Sequence, residues 1–158
     1  MRYPDVTAVI LAAGKGTRMG SDRAKVLHEL AGQPMLAHVL AASRAVGIGQ
    51  QVVVVGHQRD AVEAAVAADD VDFVLQDRQL GTGHAVQVTA GAVRGDTVVV
   101  LCGDAPLVPP ALLRTLLERH AASGVACTAV AAEMPDPTGY GRMLSNAAGD
   151  LERIVEHK

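Results

Sequence analysis

A glycine-rich, cationic segment follows an apolar run near the start of the chain. This segment, Ala12–Gly20, contains Lys15 and Arg18 and comes directly after Thr7–Leu11. Small residues let backbone N–H groups close on a phosphate, and the two cations add favourable charge. The spacing fits neither a Walker A loop nor the dinucleotide-binding fingerprint. We interpret the segment as a phosphate-binding loop; the alternative is a plain strand-to-helix turn with solvated cations.

A carboxylate and a lysine further along the chain could serve the same chemistry. Asp104 comes shortly after the apolar run Thr97–Leu101. At the carboxyl end of a strand, near a phosphate loop, such an Asp is well placed to hold Mg²⁺, which prefers oxygen ligands. The alternative is an Asp that caps the turn before Pro106. Lys25 is the next candidate phosphate contact, and its alternative is an ordinary surface charge.

A polar loop, Gln76–Gly83, carries two glutamines and two glycines. Glutamine amides offer both a donor and an acceptor, so Gln76 and Gln79 could read the edge of a nucleobase. The glycines at 81 and 83 permit close backbone approach. His84 has no partner at the spacing of metal ligands, so we interpret it as a helix residue.

The elements that must position these residues alternate between strand and helix. Predicted strands are Thr7–Leu11, Gln51–Val55, Val71–Leu75, Thr97–Leu101 and Val125–Ala132. Predicted helices run from Pro34 to Val46, Asp60 to Ala68, His84 to Val93, and Pro109–Pro110 to near Gly124, and a hairpin of Gly141–Leu144 with Leu151–Val155 follows. Such alternation predicts an α/β fold, a mostly parallel sheet with helices on both faces. In such folds the ligand lies beyond the carboxyl ends of the strands, where the three loops meet.

The composition excludes several classes of protein. The chain has 158 residues, 49% of them hydrophobic and 20% charged, which predicts a single globular domain. Aromatic residues make up 2%, too few for an aromatic platform that binds single-stranded nucleic acid. The formal net charge of −3 gives no general attraction to nucleic acid or anionic membranes. With no apolar run near 18 residues and no signal core, we expect a cytoplasmic protein without a membrane partner.

At the level of whole motifs the chain resembles a known family. The segments LAAGKGTRM, KVLH, QLGTGHA, GDAPL, DPTGYGR and IVEHK occur in the order found in bacterial bifunctional N-acetylglucosamine-1-phosphate uridylyltransferase/glucosamine-1-phosphate N-acetyltransferases. The first motif marks the wider sugar-nucleotide pyrophosphorylase superfamily, and the combination of the later ones is more specific. The resemblance covers Val6–Lys158, which lies within the uridylyltransferase half.

The resemblance implies a Rossmann-like fold of the nucleotide-diphospho-sugar transferase type, and transfer of uridylyl from UTP to N-acetylglucosamine 1-phosphate. The products would be UDP-N-acetylglucosamine, a precursor for peptidoglycan and lipopolysaccharide, and pyrophosphate, with Mg²⁺ as cofactor. The implied nucleotide contacts are Leu11, Ala12, Gly14, Lys25, Gln76, Gly81, Thr82 and Gly103. Arg18 and Lys25 would be the catalytic charges, Asp104 the Mg²⁺ ligand, and Gly141 and Glu156 the sugar contacts.

The chain also departs from the family pattern. Ala24 stands before Lys25 where the family usually has proline. The family's uridylyltransferase domain continues beyond 158 residues, and its β-helix acetyltransferase domain, which builds a homotrimer, is absent here. We therefore expect residues 1–158 to be the N-terminal part of a nucleotidyltransferase domain. The alternatives are a related transferase for another sugar phosphate or cofactor, and a fragment that binds UTP without activity.

Overall fold

The structure, a computed structural model, describes residues 2–16 and 19–155. It has an α/β fold, in which the apolar runs of the sequence form the strands. In the first half of the chain the elements are β1 (Tyr3–Leu11), a 3₁₀ helix (Lys25–Leu27), β2 (Glu29–Leu30), β3 (Gln33–Pro34), α1 (Met35–Val46), β4 (Ile48–Val55), α2 (Arg59–Val66) and β5 (Val71–Leu75). Then follow α3 (Thr82–Gln87), β6 (Thr97–Cys102), α4 (Pro110–Ser123), β7 (Arg142–Ser145) and β8 (Leu151–Val155). The chain divides into two compact units, Met1–Glu118 and Arg119–Lys158.

The first unit is built on a parallel sheet of four strands in the order β5-β4-β1-β6. The chain progresses outwards from β1 through β4 to β5, and then crosses back to place β6 on the other side of β1. The direction of strand addition therefore reverses beside β1, where Leu11 is in register with Cys102. In open α/β sheets a ligand binds in the crevice at such a reversal, outside the carboxyl ends of the strands.

Side chains alternate across the sheet and fill a core on each face. On one face Ile10, Val53 and Leu101 belong to a cluster with the apolar residues of α1 and α4. On the other face Val9 and Val52 pack with Ala85 of α3 and the turns that follow it. Because both faces of the central strands are covered, β1 and β4 are nearly continuous apolar runs, as the sequence predicts.

The limits of α1 follow from residues at its two ends. Pro34 immediately precedes the helix, where its fixed φ and missing N–H cost nothing. Gly47 ends it in the left-handed region, with φ of 84°, and donates a hydrogen bond to the carbonyl of Arg44. The predicted helix is confirmed from Met35 to Val46, whereas Pro34 lies just outside it as the last residue of β3.

One sequence prediction is wrong, and one helix has different bounds from those predicted. Val125–Ala132 is not a strand: it lies in irregular structure, because no strand among residues 2–16 and 19–155 pairs with it. An extended segment needs a neighbour to accept its backbone hydrogen bonds. The helix predicted over 84–93 begins at Thr82 and ends at Gln87. The amide of Thr89 bonds to the carbonyl of Val86, and its hydroxyl donates to the same carbonyl, which tightens the chain into turns.

The second unit contains the predicted hairpin. Strands β7 and β8 are antiparallel, and the turn between them is organised by Asn146. Its Oδ1 accepts hydrogen bonds from the amides of Ala148 and Asp150, each at 2.9 Å. Gly149 adopts a φ of 89°, which a residue with a side chain rarely adopts. The hairpin prediction is confirmed.

Within the described parts of the chain, no helix combines the length and apolar character needed to cross a membrane.

Candidate functional site

The loops after β1, β5 and β6 meet around a cavity of about 380 Å³ at the carboxyl edge of the sheet. Its volume is in the range of small-molecule sites, which are commonly about 300–1,000 Å³. The lining residues are Leu11, Ala12, Ala13, Gly14, Gly16, Lys25, Val26, Gln76, Gln79, Gly81, Thr82, Ala85, Cys102 and Asp104. The three loops that the sequence analysis selected thus form one site, next to the reversal in strand order.

Hydrogen bonds of the backbone fix the start of the glycine-rich loop where it leaves the sheet. The amide of Ala12 donates to the carbonyl of Val54 at 2.9 Å, which continues the pairing of β1 with β4. The carbonyl of Ala13 accepts a hydrogen bond from Gln79 Nε2 at 2.6 Å, which ties this loop to the loop after β5. Around Gly14 the space is open: apart from its chain neighbours, residues 2–16 and 19–155 place no atom within 4 Å of the position a Cβ would occupy. The loop therefore has a fixed base and an accessible glycine facing the cavity.

Lys25 and Asp104 form the charged side of the cavity. Lys25 Nζ lies 2.5 Å from Asp104 Oδ2, and both side chains are partly exposed to solvent. The lysine stem passes so close to Gly16, which has φ of +64°, that a Cβ there would lie 2.6 Å from Lys25 Cβ. Gly16 thus makes room for Lys25, a role that the sequence analysis missed because it considered the glycines only as phosphate contacts.

Gly103 explains how Asp104 reaches the site. Its amide donates to the carbonyl of Leu11 at 2.9 Å, and a Cβ on residue 103 would lie 2.8 Å from that oxygen. Only glycine allows β6 to stay this close to β1 at its last residues. Asp104 therefore leaves the sheet directly beside the start of the glycine-rich loop, whereas Gly103 itself does not line the cavity.

Gln76 forms the opposite, polar side of the cavity. It is buried, and its side-chain Nε2 donates to the carbonyl of Gly81 at 3.1 Å. The same nitrogen lies 3.1 Å from His84 Nδ1, which acts as acceptor when the imidazole proton is on Nε2. The amide orientation is thereby fixed, and Oε1 has no hydrogen-bond partner among residues 2–16 and 19–155. Gly81 has φ of 101°, which favours glycine in this turn.

The fit of a magnesium ion depends on Asp104. No group of three or more His, Cys, Asp or Glu residues that could hold a metal occurs among residues 2–16 and 19–155. Mg²⁺ in nucleotide sites is commonly held by one or two carboxylates together with substrate phosphates. A single carboxylate at the cavity wall, beside a glycine-rich loop, fits that pattern.

Cys102 lies in the cavity wall but is poorly suited to nucleophilic chemistry. Burial raises the pKa of the Cys102 thiol, and the Asp104 carboxylate raises it further, while Lys25 acts in the opposite direction. The net direction is upward, so the thiol stays protonated near neutral pH. The cavity is thus equipped for binding and charge stabilisation.

The structure brings together most of the predicted site residues, but not all of them. The cavity wall includes Leu11, Ala12, Gly14, Lys25, Gln76, Gly81, Thr82 and Asp104. Gly141 lies immediately before β7 in the second unit. Arg18 and Glu156 lie outside the described residues. Gln58, which no sequence motif marks, also belongs to this region, since its side chain contacts the segment before Lys25.

A parallel sheet with a glycine-rich loop, a polar loop and a carboxylate around one cavity defines the class as a nucleotide-binding α/β domain. Comparison with known proteins narrows this class. The chain belongs to the family of MobA-like NTP transferase domains, whose model matches residues 8–157. The predicted α/β Rossmann-like fold and the predicted relationship to nucleotidyltransferases are confirmed.

The chain is also similar to individual proteins, in sequence and in structure. The bifunctional protein GlmU of Geobacter metallireducens is 48% identical over 157 residues, which is 98% of this chain and 33% of that protein. The chain spans about a third of the length of the first curated relatives it matches. Rv0371c of Mycobacterium tuberculosis is 32% identical, with a TM-score of 0.67 over 77% of this chain and 63% of its own. HddC of Yersinia pseudotuberculosis has the same fold, with a TM-score of 0.73 at 23% identity over 96% of this chain and 69% of its own.

Proposed function

We propose that this chain binds UTP in the cavity at the carboxyl edge. We further propose that it is the N-terminal part of an enzyme transferring uridylyl from UTP to N-acetylglucosamine 1-phosphate, which yields UDP-N-acetylglucosamine and pyrophosphate. The observation that carries the proposal is the arrangement of one cavity, with Gln76 and Gly81 on one side and Lys25 and Asp104 on the other. Relatives at about half identity are bifunctional GlmU proteins, which supports this choice of substrates.

Recognition of uracil would depend on Gln76. Its Nε2 is occupied by Gly81 and His84, so Oε1 is the atom available to a base. Uracil has a hydrogen on N3 and can donate to Oε1, whereas N3 of cytosine carries no hydrogen. A buried acceptor that loses its donor costs about 1–3 kcal/mol. UTP would therefore be preferred to CTP, with backbone groups of Gly81 and Thr82 completing the contact.

Catalysis would consist of positioning and charge stabilisation. An oxygen of the sugar phosphate attacks the α-phosphorus of UTP in line, the bond to the β-phosphate breaks, and pyrophosphate leaves. Backbone groups of Leu11, Ala12 and Gly14 would hold the triphosphate, and Lys25, with Arg18, would neutralise the developing charge. Asp104 would hold Mg²⁺, which supplies further charge neutralisation when bound. The sugar contacts Gly141 and Glu156 remain predictions from the sequence resemblance.

The experiment measures pyrophosphate release by the 158-residue chain with UTP, N-acetylglucosamine 1-phosphate and Mg²⁺, each omitted in turn, and with chelator. Release that needs all three components supports the proposal. Binding of UTP without release, in a folded protein, would reduce the chain to a nucleotide-binding part of the enzyme. Release with a different sugar phosphate, but not with N-acetylglucosamine 1-phosphate, would instead support a related transferase.

The Gln76→Ala variant tests base recognition separately. We expect it to lose preference for UTP over CTP by roughly 10-fold or more, because the acceptor for N3–H is removed. Gln87→Ala is the matched control, since Gln87 is an exposed residue of α3 outside the cavity. An unchanged preference in Gln76→Ala would place uracil recognition elsewhere.

A further inference from the structure

Gln58 binds the backbone of a segment far away in the sequence. It stands between β4 and α2, and its Oε1 accepts a hydrogen bond from the amide of Ala24 at 2.7 Å. Its Nε2 donates to the carbonyl of Asp22 at 2.5 Å. Both ends of one side-chain amide are thus engaged by the short stretch of chain that leads into Lys25.

The backbone of Gln58 is itself in an unfavourable conformation. Its φ of 53° and ψ of 40° lie in the left-handed region, which costs a residue with a Cβ about 1–2 kcal/mol. Only Ala31 shares a positive φ among the non-glycine residues of 2–16 and 19–155. A strained residue persists where the surrounding structure holds it, and such residues cluster at functional sites. The strain at Gln58 therefore points to what its side chain holds in place.

The segment held by Gln58 determines where Lys25 projects. Ala24 is completely buried and directly precedes the 3₁₀ helix that begins at Lys25. From there the lysine stem passes Gly16, and its ammonium group reaches Asp104. A shift of the backbone at residues 22–24 would move the base of this side chain relative to the cavity.

We propose that Gln58 is a positioning residue for Lys25, acting by fixing the backbone of residues 22–24 so that the ammonium group projects into the nucleotide cavity. The role in nucleotide binding rests on the proposed function, whereas the effect on the position of Lys25 does not. Two measurements test the position of Lys25 and the effect on nucleotide binding separately.

The first measurement needs no nucleotide. The chain has three lysines, Lys15, Lys25 and Lys158, so acetylation by acetic anhydride followed by mass spectrometry reports each amine separately. We expect Gln58→Met, which keeps the length of the side chain but removes both hydrogen bonds, to raise labelling of Lys25 relative to Lys15 about 3-fold. General unfolding would raise both, so a parallel rise at Lys15, or no rise at Lys25, overturns the inference.

The second measurement is calorimetric binding of UTP with Mg²⁺ in a double-mutant cycle. We expect Gln58→Met to weaken binding roughly 3- to 10-fold in the otherwise unchanged chain, and less than 2-fold when Lys25 is already Met. Equal losses in both backgrounds would show that Gln58 acts on general structure, and would overturn the inference. Absence of UTP binding by the unchanged chain would refute the proposed function, while the labelling result would still decide the position of Lys25.

A second variant tests whether the Ala24 amide is the means by which Gln58 acts. Ala24 has φ of −52°, within the range of proline, so Ala24→Pro removes the amide donor while keeping that φ. If Gln58 acts through this amide, Gln58→Met adds less than 2-fold to Lys25 labelling in the Ala24→Pro background. A further rise of the full 3-fold would show that the Ala24 hydrogen bond is not the means of positioning.

Discussion

Two cavities of similar size lie near opposite edges of the parallel sheet and differ in how their polar groups are used. The cavity at the carboxyl edge has a volume of about 380 Å³, and a second one near the amino edge has about 400 Å³. The residues around the second cavity are Pro4, Asp5, Gly49, Gln50, Asp69, Asp70, Asp72, Arg94 and Gly95. Volume alone does not distinguish the two.

Hydrogen bonding distinguishes them. At the amino edge, buried Gln50 accepts from Thr7 Oγ1 at 2.8 Å and from the amide of Arg94 at 3.0 Å. Its Nε2 donates to Asp72 and to the carbonyl of Ala92, both at 2.8 Å. Every polar atom of the Gln50 side chain is thus used within the protein. At the carboxyl edge Gln76 Oε1 has no hydrogen-bond partner within the described part of the chain, and the paired charges of Lys25 and Asp104 line the cavity.

The two buried glutamines thus differ in what they join: Gln50 bonds residues of β1, β5 and the chain before β6, whereas Gln76 bonds Gly81 and His84, which follow it closely in sequence. The amino-edge network joins β1, β4 and the chain entering β6, so it stabilises the sheet. Under the proposed function, the carboxyl-edge groups serve ligand binding more than stability. Substitutions at the two edges should therefore separate stability from nucleotide chemistry.

The largest expected contrast is between Asp104→Asn and Asp5→Asn. Removing the carboxylate charge of Asp104 should lower the rate of pyrophosphate release by about 10²–10³-fold, the cost of losing one preorganised charge contact. The same change at Asp5, which lines the amino-edge cavity, should leave the rate within about 2-fold, because Asp5 does not line the carboxyl-edge cavity where the reaction is proposed to occur. Both are measured at saturating UTP and Mg²⁺. A comparable loss in Asp5→Asn would mean that the assignment of functions to the two edges is wrong.

Gln50→Leu should have the largest effect on stability. It removes the partner of Thr7, of the Arg94 amide and of the Ala92 carbonyl, so we expect a loss of about 3 kcal/mol in the free energy of unfolding. Urea unfolding measures this loss, with exposed Gln87→Leu as the control, expected to stay within about 0.5 kcal/mol. The UTP affinity of the folded fraction should not change. A stability close to that of the unchanged chain would contradict the network described for this edge.

Two close-packed glycines, one at each edge, should differ in their effect on UTP affinity but not in their effect on stability. A Cβ at Gly95 would lie 2.5 Å from the carbonyl oxygen of Asp5, and one at Gly103 would lie 2.8 Å from that of Leu11. We expect each change to alanine to cost about 2 kcal/mol of stability by overpacking. Only Gly103→Ala should also reduce UTP affinity, because Asp104 follows it directly. Reduced affinity in both variants, measured by calorimetry on folded protein, would remove the distinction between the edges.

Much of the fold was predictable because its signals are local. Strands β1, β4, β5 and β6 are apolar runs, and α1 is bounded by Pro34 and Gly47. Their alternation then implies a parallel sheet, and the sheet places the loops after residues 11, 75 and 101 at one edge. This geometry brought Gln76, Lys25 and Asp104 to one cavity although they are distant in sequence.

What was not predictable depends on partners that no local pattern reveals. Val125–Ala132 has the composition of a strand but no neighbouring strand among the described residues. Gln58 looks like an ordinary polar residue before a helix, and its contacts are with residues 34 and 36 positions away. Such contacts are set by the packing of α2 against the segment around Lys25, so they become visible only in three dimensions.

The smallest expected effect is a decrease in the free energy of unfolding at low pH, caused by protonation of Asp72 at the amino edge. The hydrogen bond from Gln50, and then the Arg94 guanidinium, hold the pKa of the Asp72 carboxyl below its ordinary value of 3.8. A lowered pKa in the folded state contributes stability above the ordinary pKa, and this contribution is lost as the pH falls through the folded value.

Because the side chain is partly exposed, we expect Asp72→Asn to remove only about 0.5 kcal/mol of the difference in unfolding free energy between pH 6 and pH 3. Urea titrations at the two pH values measure it, and Arg94→Gln, which keeps the bond from Gln50, should remove a smaller part. An equal acid sensitivity in Asp72→Asn and the unchanged chain would show that the ionised network contributes nothing, which would leave neutral hydrogen bonds as the stabilising element of this edge.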